Sequence, residues 1–235
     1  LGGGGTRAFG HSSLSLNLDY QNLSPYYRVY PSRTDFKQPY GMFSGAAQYR
    51  YTPDERTVFK LYAGYDRTSF SNYADADRHL FALSENNVYL NTTFRKRAAS
   101  GWNWFFGAAY SFYDRRVGGA VTGGDAWSER QQELHLKVRS FRQFTPWLRL
   151  DAGVETFIRS YRDYYRFELL YDENRMYPTI CAGFLSSIFY LSEHFKTELS
   201  FRPEYVSLNR RMNWSPRAAV SYAWNRLSIS VVAGQ

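Results

Sequence analysis

The chain has 235 residues and a formal net charge of +8, and aromatic residues make up 19% of it. Its basic residues are scattered and no nucleic-acid-binding motif accompanies them, so the charge does not predict a protein that binds DNA or RNA. No run of about 18 apolar residues occurs, which excludes a transmembrane helix.

The first predicted element, Ser13 to Tyr20, alternates strictly between polar and apolar residues. Successive side chains of a strand point to opposite faces, so its apolar members share one face. They are Leu14, Leu16, Leu18 and Tyr20. We interpret this segment as a strand that is apolar outside and polar inside, as in a barrel of the bacterial outer membrane.

Similar segments recur to the end of the chain. In order they span Met42 to Tyr51, Thr57 to Asp66, Asn86 to Phe94, Asn103 to Tyr113, Gln131 to Phe141, Trp147 to Phe157, Tyr177 to Leu191, Lys196 to Val206, Ser215 to Trp224 and Leu227 to Gln235. The sequence therefore predicts an all-β fold of about 11 antiparallel strands.

The predicted connections alternate between long polar loops and short turns. The long loops are 21–41, 67–85, 114–130, 158–176 and 207–214, and the turns are 52–56, 95–102, 142–146, 192–195 and 225–226. Outer-membrane barrels have short periplasmic turns and longer outer loops, so we expect the first strand to run outward.

Aromatic residues are placed near both ends of these strands. Those near the short turns predict an inner girdle of Tyr49, Tyr51, Phe94, Trp102, Trp104, Trp147, Tyr190 and Trp224. Those near the long loops predict an outer girdle of Tyr20, Phe43, Tyr65 and Phe112. Two aromatic belts are typical of a membrane barrel and are not expected of a soluble β-sandwich.

The odd number of strands does not fit a complete bacterial barrel, which needs an even number. The last strand also stops without a turn, and a closed barrel leaves no unpaired edge. We therefore expect residues 13–235 to be a transmembrane β-barrel segment of about 11 strands from a barrel of about 22. Residues 1–12, which include Gly2 to Gly5, are expected to be a flexible Gly-rich join.

Two stretches resemble one known family. The segment from Gly2 to His11 resembles the join between plug and barrel in TonB-dependent receptors of the Bacteroides type. The stretch from Trp214 to Tyr222, followed by Leu227 to Val231, resembles the mid-barrel strand pair of the same family. The hairpins between them have the family's spacing, so the resemblance covers nearly the whole chain.

The resemblance implies an importer in the outer membrane of a Gram-negative bacterium. Such a receptor is a barrel of about 22 strands in contact with outer-membrane lipid, closed by an N-terminal plug that lies outside this sequence. Its outer loops and plug bind a scarce ligand, which is a siderophore or other metal chelate, a cobalamin, a glycan or a peptide. A TonB box couples it to the TonB–ExbB–ExbD complex, and a surface lipoprotein is a further candidate partner. No cofactor and no enzymatic activity are implied.

Aromatic and basic residues of the predicted outer loops are candidates for ligand binding. Rings stack on sugars or aromatic chelates, and arginine pairs with carboxylate or phosphate groups. The candidates are Tyr26, Tyr27, Trp127, Tyr161, Arg162, Tyr164, Tyr165 and Arg166. The alternative is that residues 161–166 continue a strand above the membrane and pack on neighbouring loops.

Charged residues that alternate with apolar ones are expected to face the lumen. They are Lys137, Arg139, Arg149, Asp151, Glu155, Arg202 and Glu204. We expect them to pair across strands and to contact the plug, and direct contact with the ligand is the alternative.

No catalytic or metal-binding pattern occurs in the sequence. The four histidines (His11, His79, His135 and His194) lack metal-ligand spacing, and no G-x-S-x-G motif is present. Two other hypotheses stay open. One is a self-contained small porin or barrel enzyme of about 10–12 strands, for which His135 beside Glu133 is the candidate pair. The other is a soluble all-β binding module.

Overall fold

The computed structural model describes residues 1–30, 36–73, 80–119, 125–167, 170–225 and 227–234. These residues form thirteen strands and one helix of six residues. In chain order they are β1 (Gly2–Phe9), β2 (Ser12–Asn22), α1 (Ser24–Val29), β3 (Phe36–Asp54), β4 (Thr57–Tyr73), β5 (Leu80–Arg97), β6 (Asn103–Gly118), β7 (Ala126–Thr145), β8 (Leu148–Phe167), β9 (Leu170–Met176), β10 (Thr179–Tyr190), β11 (Phe195–Val206), β12 (Arg211–Trp224) and β13 (Leu227–Gly234).

All strands belong to one antiparallel sheet in which chain neighbours are paired. The order runs from β1 to β8 and then from β10 to β13, whereas β9 pairs with β8 alone. The sheet is open, with β1 and β13 at its two edges. The predicted all-β antiparallel fold is therefore confirmed. In the part of the chain that the structure describes, no helix is long and apolar enough to cross a membrane.

Each of the eleven predicted strands corresponds to one observed strand, but the count is thirteen because β1 and β9 were not predicted. The interpretation of Gly2 to Gly5 as flexible is wrong, since these residues pair with β2 from Gly2 opposite Asp19 to Phe9 opposite Ser12. Glycine shows no alternation of side chains, so the sequence pattern is silent there. Gly10 has a φ of +56°, which glycine adopts readily and which the turn into β2 requires.

The predicted loop 158–176 is wrong as a loop, because it consists mainly of the end of β8 and of β9. The loops predicted at 67–85 and 114–130 are likewise shortened by extensions of the strands that flank them. The strands are longer than the segment in which one face must be apolar, because backbone hydrogen bonds between them continue beyond it. The alternation that marks a strand in the sequence therefore ends before the strand does.

In a soluble protein the apolar face of a sheet is buried and its polar face is exposed, whereas in this sheet the polar face is buried and the apolar face is exposed. On the apolar face, Val154 and Leu185 are 59% and 53% exposed. The polar face is the buried one, since Asp151 and Glu155 are only 3% and 6% exposed. Among the described residues, Ala182 and Ile188 are the buried hydrophobic residues. An apolar surface this extensive is typical of contact with lipid.

Aromatic side chains mark both ends of the apolar face. Near the short turns, Trp104 stacks on Phe106 with ring centroids 6.1 Å apart, and Trp102 lies 6.0 Å from Trp104. Near the other end, Phe43 lies 6.2 Å from Tyr65. Trp104 and Phe112 on β6 are about 27 Å apart along the strand at about 3.4 Å per residue. A tilted strand of that length spans most of an apolar band about 25 Å tall.

Candidate functional site

The register of the sheet brings the seven predicted lumen charges to the polar face. Lys137 on β7 lies opposite Glu155 on β8. Glu155 lies opposite Ala182 on β10, which in turn lies opposite Glu204 on β11. Residues directly opposite one another in an antiparallel pair share a face, so charges from three of these four strands lie in one row.

Glu155 is the centre of this network. Its Oε2 accepts a hydrogen bond from Lys137 Nζ at 3.0 Å, and its Oε1 lies 2.8 Å from Arg202 Nη2. Arg202 belongs to β11 and reaches Glu155 across β10, where the small side chain of Ala182 stands between them. A buried carboxylate is thus satisfied by two cations from different strands, which removes most of the cost of burying it.

Asp151, four residues before Glu155 on the same face of β8, forms a second network. Arg139 binds both of its carboxylate oxygens, with Nε 2.8 Å from Oδ1, and Arg149 Nη2 lies 3.4 Å from Oδ2. The Arg149 guanidinium also lies 4.0 Å from the centroid of the Phe141 ring. These contacts hold two arginines on the polar face with only one carboxylate between them.

A groove of about 560 Å³ lies over these residues and carries an excess of positive charge. Its cations are Lys137, Arg139, Arg149, Arg202 and Arg217, and its acids are Asp151 and Glu198. A second groove of about 660 Å³ extends toward the short turns and adds Arg56, Arg95 and Arg97. This end of the polar face can therefore bind an anionic ligand or an acidic protein surface.

The sequence reasoning omitted Arg217 and Glu198 from the charged face. The signal was present, because Arg217 alternates with the apolar Ala218 and Val220 in the strand predicted from Ser215. The contacts themselves depend on register and could not be read from alternation alone.

Strand alternation divides the candidate ligand-binding residues of β8 between the two faces. Tyr161 and Tyr165 lie on the polar face, and Tyr165 lies opposite Trp127 on β7. Arg162, Tyr164 and Arg166 lie on the other face. Residues 161–166 therefore continue β8, as the alternative interpretation expected, and do not form one cluster.

The remaining candidates are spread over the sheet. Trp127 packs with Arg115, whose guanidinium lies 5.7 Å from its ring centroid. Tyr26 and Tyr27 belong to α1, and the centroids of their rings are 5.4 Å apart. The helix lies next to β3 rather than next to β7 or β8. Ligand binding by these residues stays a prediction.

Two ion-pair clusters lie beyond the apolar segment on the apolar face. Asp114 pairs with Arg116 and Arg130 at 3.0 and 3.1 Å, and Glu173 pairs with Arg162 and Arg175 at 2.6 and 2.8 Å. Hydrogen bonds from Arg175 and then Arg162 lower the pKa of Glu173. Each of the two acids thus pairs with two arginines and holds them in place.

His135 and Glu133, the pair that a barrel enzyme would use, do not contact each other. Glu133 pairs with Arg159. His135 stacks on Phe157 with ring centroids 4.0 Å apart, and its Nε2 lies 3.6 Å from Glu155. Within the described ranges, no group of three or more His, Cys, Asp or Glu residues is placed to hold a metal ion.

Neither a protein-family model nor a curated protein sequence matches the chain. Its fold is similar to that of β-barrel receptors among the solved structures. The alcaligin outer membrane receptor FauA from Bordetella pertussis has a TM-score of 0.75 at 9% identity, over 94% of this chain and 38% of that one. The copper transporter OprC has a TM-score of 0.70 at 10% identity, over 97% and 42%. The RagAB peptide importer has a TM-score of 0.63 at 9% identity, over 91% and 32%.

The chain spans about two fifths of the length of FauA and OprC. At this identity the likeness shows the fold alone. The open sheet of thirteen strands has the fold of part of the β-barrel in these proteins.

Proposed function

We propose that this chain is part of the barrel of a TonB-dependent receptor in the outer membrane of a Gram-negative bacterium, of the Bacteroides type. The observation that carries the proposal is the inverted sheet, in which an exposed apolar face bounded by aromatic residues backs a buried charged face. A soluble β-module would leave that apolar face in water, which is unfavourable.

In this proposal the described sheet is about half of a barrel of about 22 strands, whose remaining strands close the gap between β13 and β1. A plug precedes β1 in the full-length protein and fills the lumen. The basic groove over Lys137, Arg139 and Arg202 faces this plug or the ligand that passes it. The plug's TonB box couples the receptor to TonB–ExbB–ExbD, and a surface lipoprotein is a candidate partner on the outer side.

The imported ligand belongs to the class that such receptors take up: a siderophore or other metal chelate, a cobalamin, a glycan or a peptide. The names of similar structures refer to alcaligin, copper and peptides, which supports the range of the class without selecting one member. Trp127, Tyr161 and Tyr165 lie on the polar face beyond the membrane segment and are the candidates for first contact with the ligand. The chain has no catalytic role in this proposal.

The proposal is tested by the size and location of the native protein. An antibody raised against residues 158–176 is used on fractionated cells of the source organism. A band several times heavier than the 27.5 kDa of this chain, in the outer-membrane fraction, supports the proposal. A heat-modifiable band at 27.5 kDa would indicate a self-contained small barrel, and a band in the soluble fraction would indicate a soluble module.

A further inference from the structure

Among the described residues, six arginines follow the apolar segment on the apolar face of the sheet, and five of them form its border, whereas Arg166 lies farther out. This arginine belt consists of Arg67 on β4, Arg116 on β6, Arg130 on β7, Arg162 on β8 and Arg175 on β9. Arg67 comes two residues after Tyr65, and Arg162 comes four residues after Ile158. The belt is thus continuous with the surface that we assign to lipid.

The register lines up four of these arginines across six adjacent strands, and Arg116 lies two residues beyond this line on β6. Arg67 lies opposite Asn86 and Asn86 opposite Asp114. From there the line runs to Arg130, Arg162 and Arg175. Neighbouring strands are about 4.8 Å apart, so the belt presents a guanidinium group every one or two strands along one border.

The carboxylates of the belt do not neutralise it. Asp114 is shared by Arg116 and Arg130, and Glu173 is shared by Arg162 and Arg175. Arg67 has no carboxylate partner among the described residues. Asp114 is buried beneath its two arginines, whose side chains remain exposed. The acids therefore orient the guanidinium groups toward the surface, and a net positive charge remains.

The belt also provides concave space and further polar groups. Arg116, Arg130 and Arg162 line a groove of about 360 Å³ together with Asp114, which two of these arginines share, and with Ser128 and Tyr164, whose hydroxyls can donate hydrogen bonds. A neighbouring groove of about 520 Å³ is lined by Arg67 and Arg116. Guanidinium groups at this spacing fit phosphate oxygens, which they bind in a bidentate manner.

We propose that the arginine belt binds the phosphate groups of the lipopolysaccharide that surrounds the barrel in the outer leaflet. This inference rests on the proposed placement in the outer membrane. It commits to the lipid because the belt lies on the lipid side of the sheet, opposite to Tyr161 and Tyr165, and directly borders the apolar surface. Basic residues at a membrane border are attracted to anionic headgroups.

The test measures lipopolysaccharide bound to the purified full-length protein, by native mass spectrometry and by titration with lipid A in its phosphorylated and dephosphorylated forms. The variants are Arg67→Gln, which removes no ion pair, and the double variant Arg130→Gln with Arg162→Gln. The control is Arg50→Gln, an exposed strand arginine on the polar face near a short turn. Heat modifiability verifies that each variant has folded.

The expected result is a loss of affinity of about fivefold for each belt arginine removed, confined to phosphorylated lipid and absent in Arg50→Gln. Equal binding of both forms of lipid A, or unchanged affinity in the double variant, would overturn the proposal. So would binding of inorganic phosphate alone with the same dependence on the belt, or loss of a co-purifying protein with lipid unchanged. A protein found outside the outer membrane would refute the proposed function as well, whereas failure of the lipid titration alone leaves that function standing.

Discussion

Glu155 is the residue on which the charged face depends most. It is buried, and its two oxygens are bound by Lys137 and Arg202 from strands on either side. Glu204 also pairs with Arg202, at 3.3 Å, but is more exposed. Glu155 and Glu204 therefore belong to one ion-pair network, but water can replace the partner of Glu204 more easily than the partners of Glu155.

We predict that Glu155→Gln lowers the free energy of unfolding by about 1–3 kcal/mol, because two cations lose their shared carboxylate in a buried place. The control Glu204→Gln is expected to cost less than about 1 kcal/mol, since water screens this half-exposed pair more than it screens Glu155. Urea unfolding of the full-length protein in lipid vesicles measures both. An equal loss of unfolding free energy in the two variants would contradict the idea that burial makes Glu155 the more important residue.

Asp54 is the residue that organises the turn between β3 and β4. Its Oδ1 accepts a hydrogen bond from the backbone N–H of Arg56 at 2.7 Å, and Thr57 donates to Oδ2 at 3.1 Å. The backbone hydrogen bond from Arg56 is the main cause that lowers the pKa of Asp54 below its usual 3.8. The ionised carboxylate accepts both bonds more strongly than a protonated carboxyl would.

The contribution of Asp54 is therefore complete above pH 3.8 and is lost as the pH falls through the lowered pKa. We expect the amide protection factors of residues 55–57, corrected for intrinsic exchange, to fall when the pH is lowered from about 5 to about 3. In Asp54→Ala, which has no side-chain acceptor, they should already be low at pH 5 and change little. A fall of the same size in the variant would assign the pH dependence to another group.

Among the elements, β1 differs most from what alternation predicts. Its four successive glycines carry no side-chain pattern, so sequence reasoning found no strand there. The structure explains why residue 4 is a glycine. A Cβ at this position would lie 2.8 Å from the carbonyl oxygen of Leu16 on β2, which is too close for any other side chain. At Gly5 a Cβ would meet no atom within 4 Å.

We predict that Gly4→Val separates β1 from β2, whereas Gly5→Val leaves the pairing intact or strengthens it, because valine favours extended backbone where there is room. Limited proteolysis within residues 1–11 reports the difference, with faster cleavage expected in Gly4→Val alone. Similar cleavage of both variants would mean that the close approach at Gly4 does not govern this pairing.

The β8–β9 hairpin shows the other limit of the sequence pattern. Alternation identified β8 only as far as Phe157, although the strand runs to Phe167. Inside the apolar band each strand must present one apolar face, and that requirement is what the pattern records. Above the band both faces are polar, so only hydrogen bonding to β7 and β9 shows that Tyr161 to Arg166 are strand.

At the scale of the whole molecule, the sequence was sufficient for the fold class and for the assignment of faces within the eleven predicted strands. Leu136 and Lys137 are neighbours in the chain, and alternation alone placed them on opposite faces. The contacts of the charged face were beyond its reach, because Arg202 meets Glu155 only through the register of three strands and the small size of Ala182. The arginine belt required the same register, since its members are far apart in sequence.

Cys181 offers the most direct test of the central claim, that the exposed apolar face contacts lipid. It is the only cysteine of the chain, it is exposed, and it lies on the apolar face between Thr156 and Tyr205 in register. A spin label on Cys181 is measured in the full-length protein in lipid vesicles, with any other cysteines replaced. The matched control is Ser200→Cys on the polar face in a Cys181→Ser background.

The account predicts that the label at Cys181 collides readily with oxygen, which concentrates in lipid, and hardly at all with a water-soluble nickel complex. The label at residue 200 should show no such preference for oxygen. Ready collision of the Cys181 label with the nickel complex would place the apolar face in water and contradict the account.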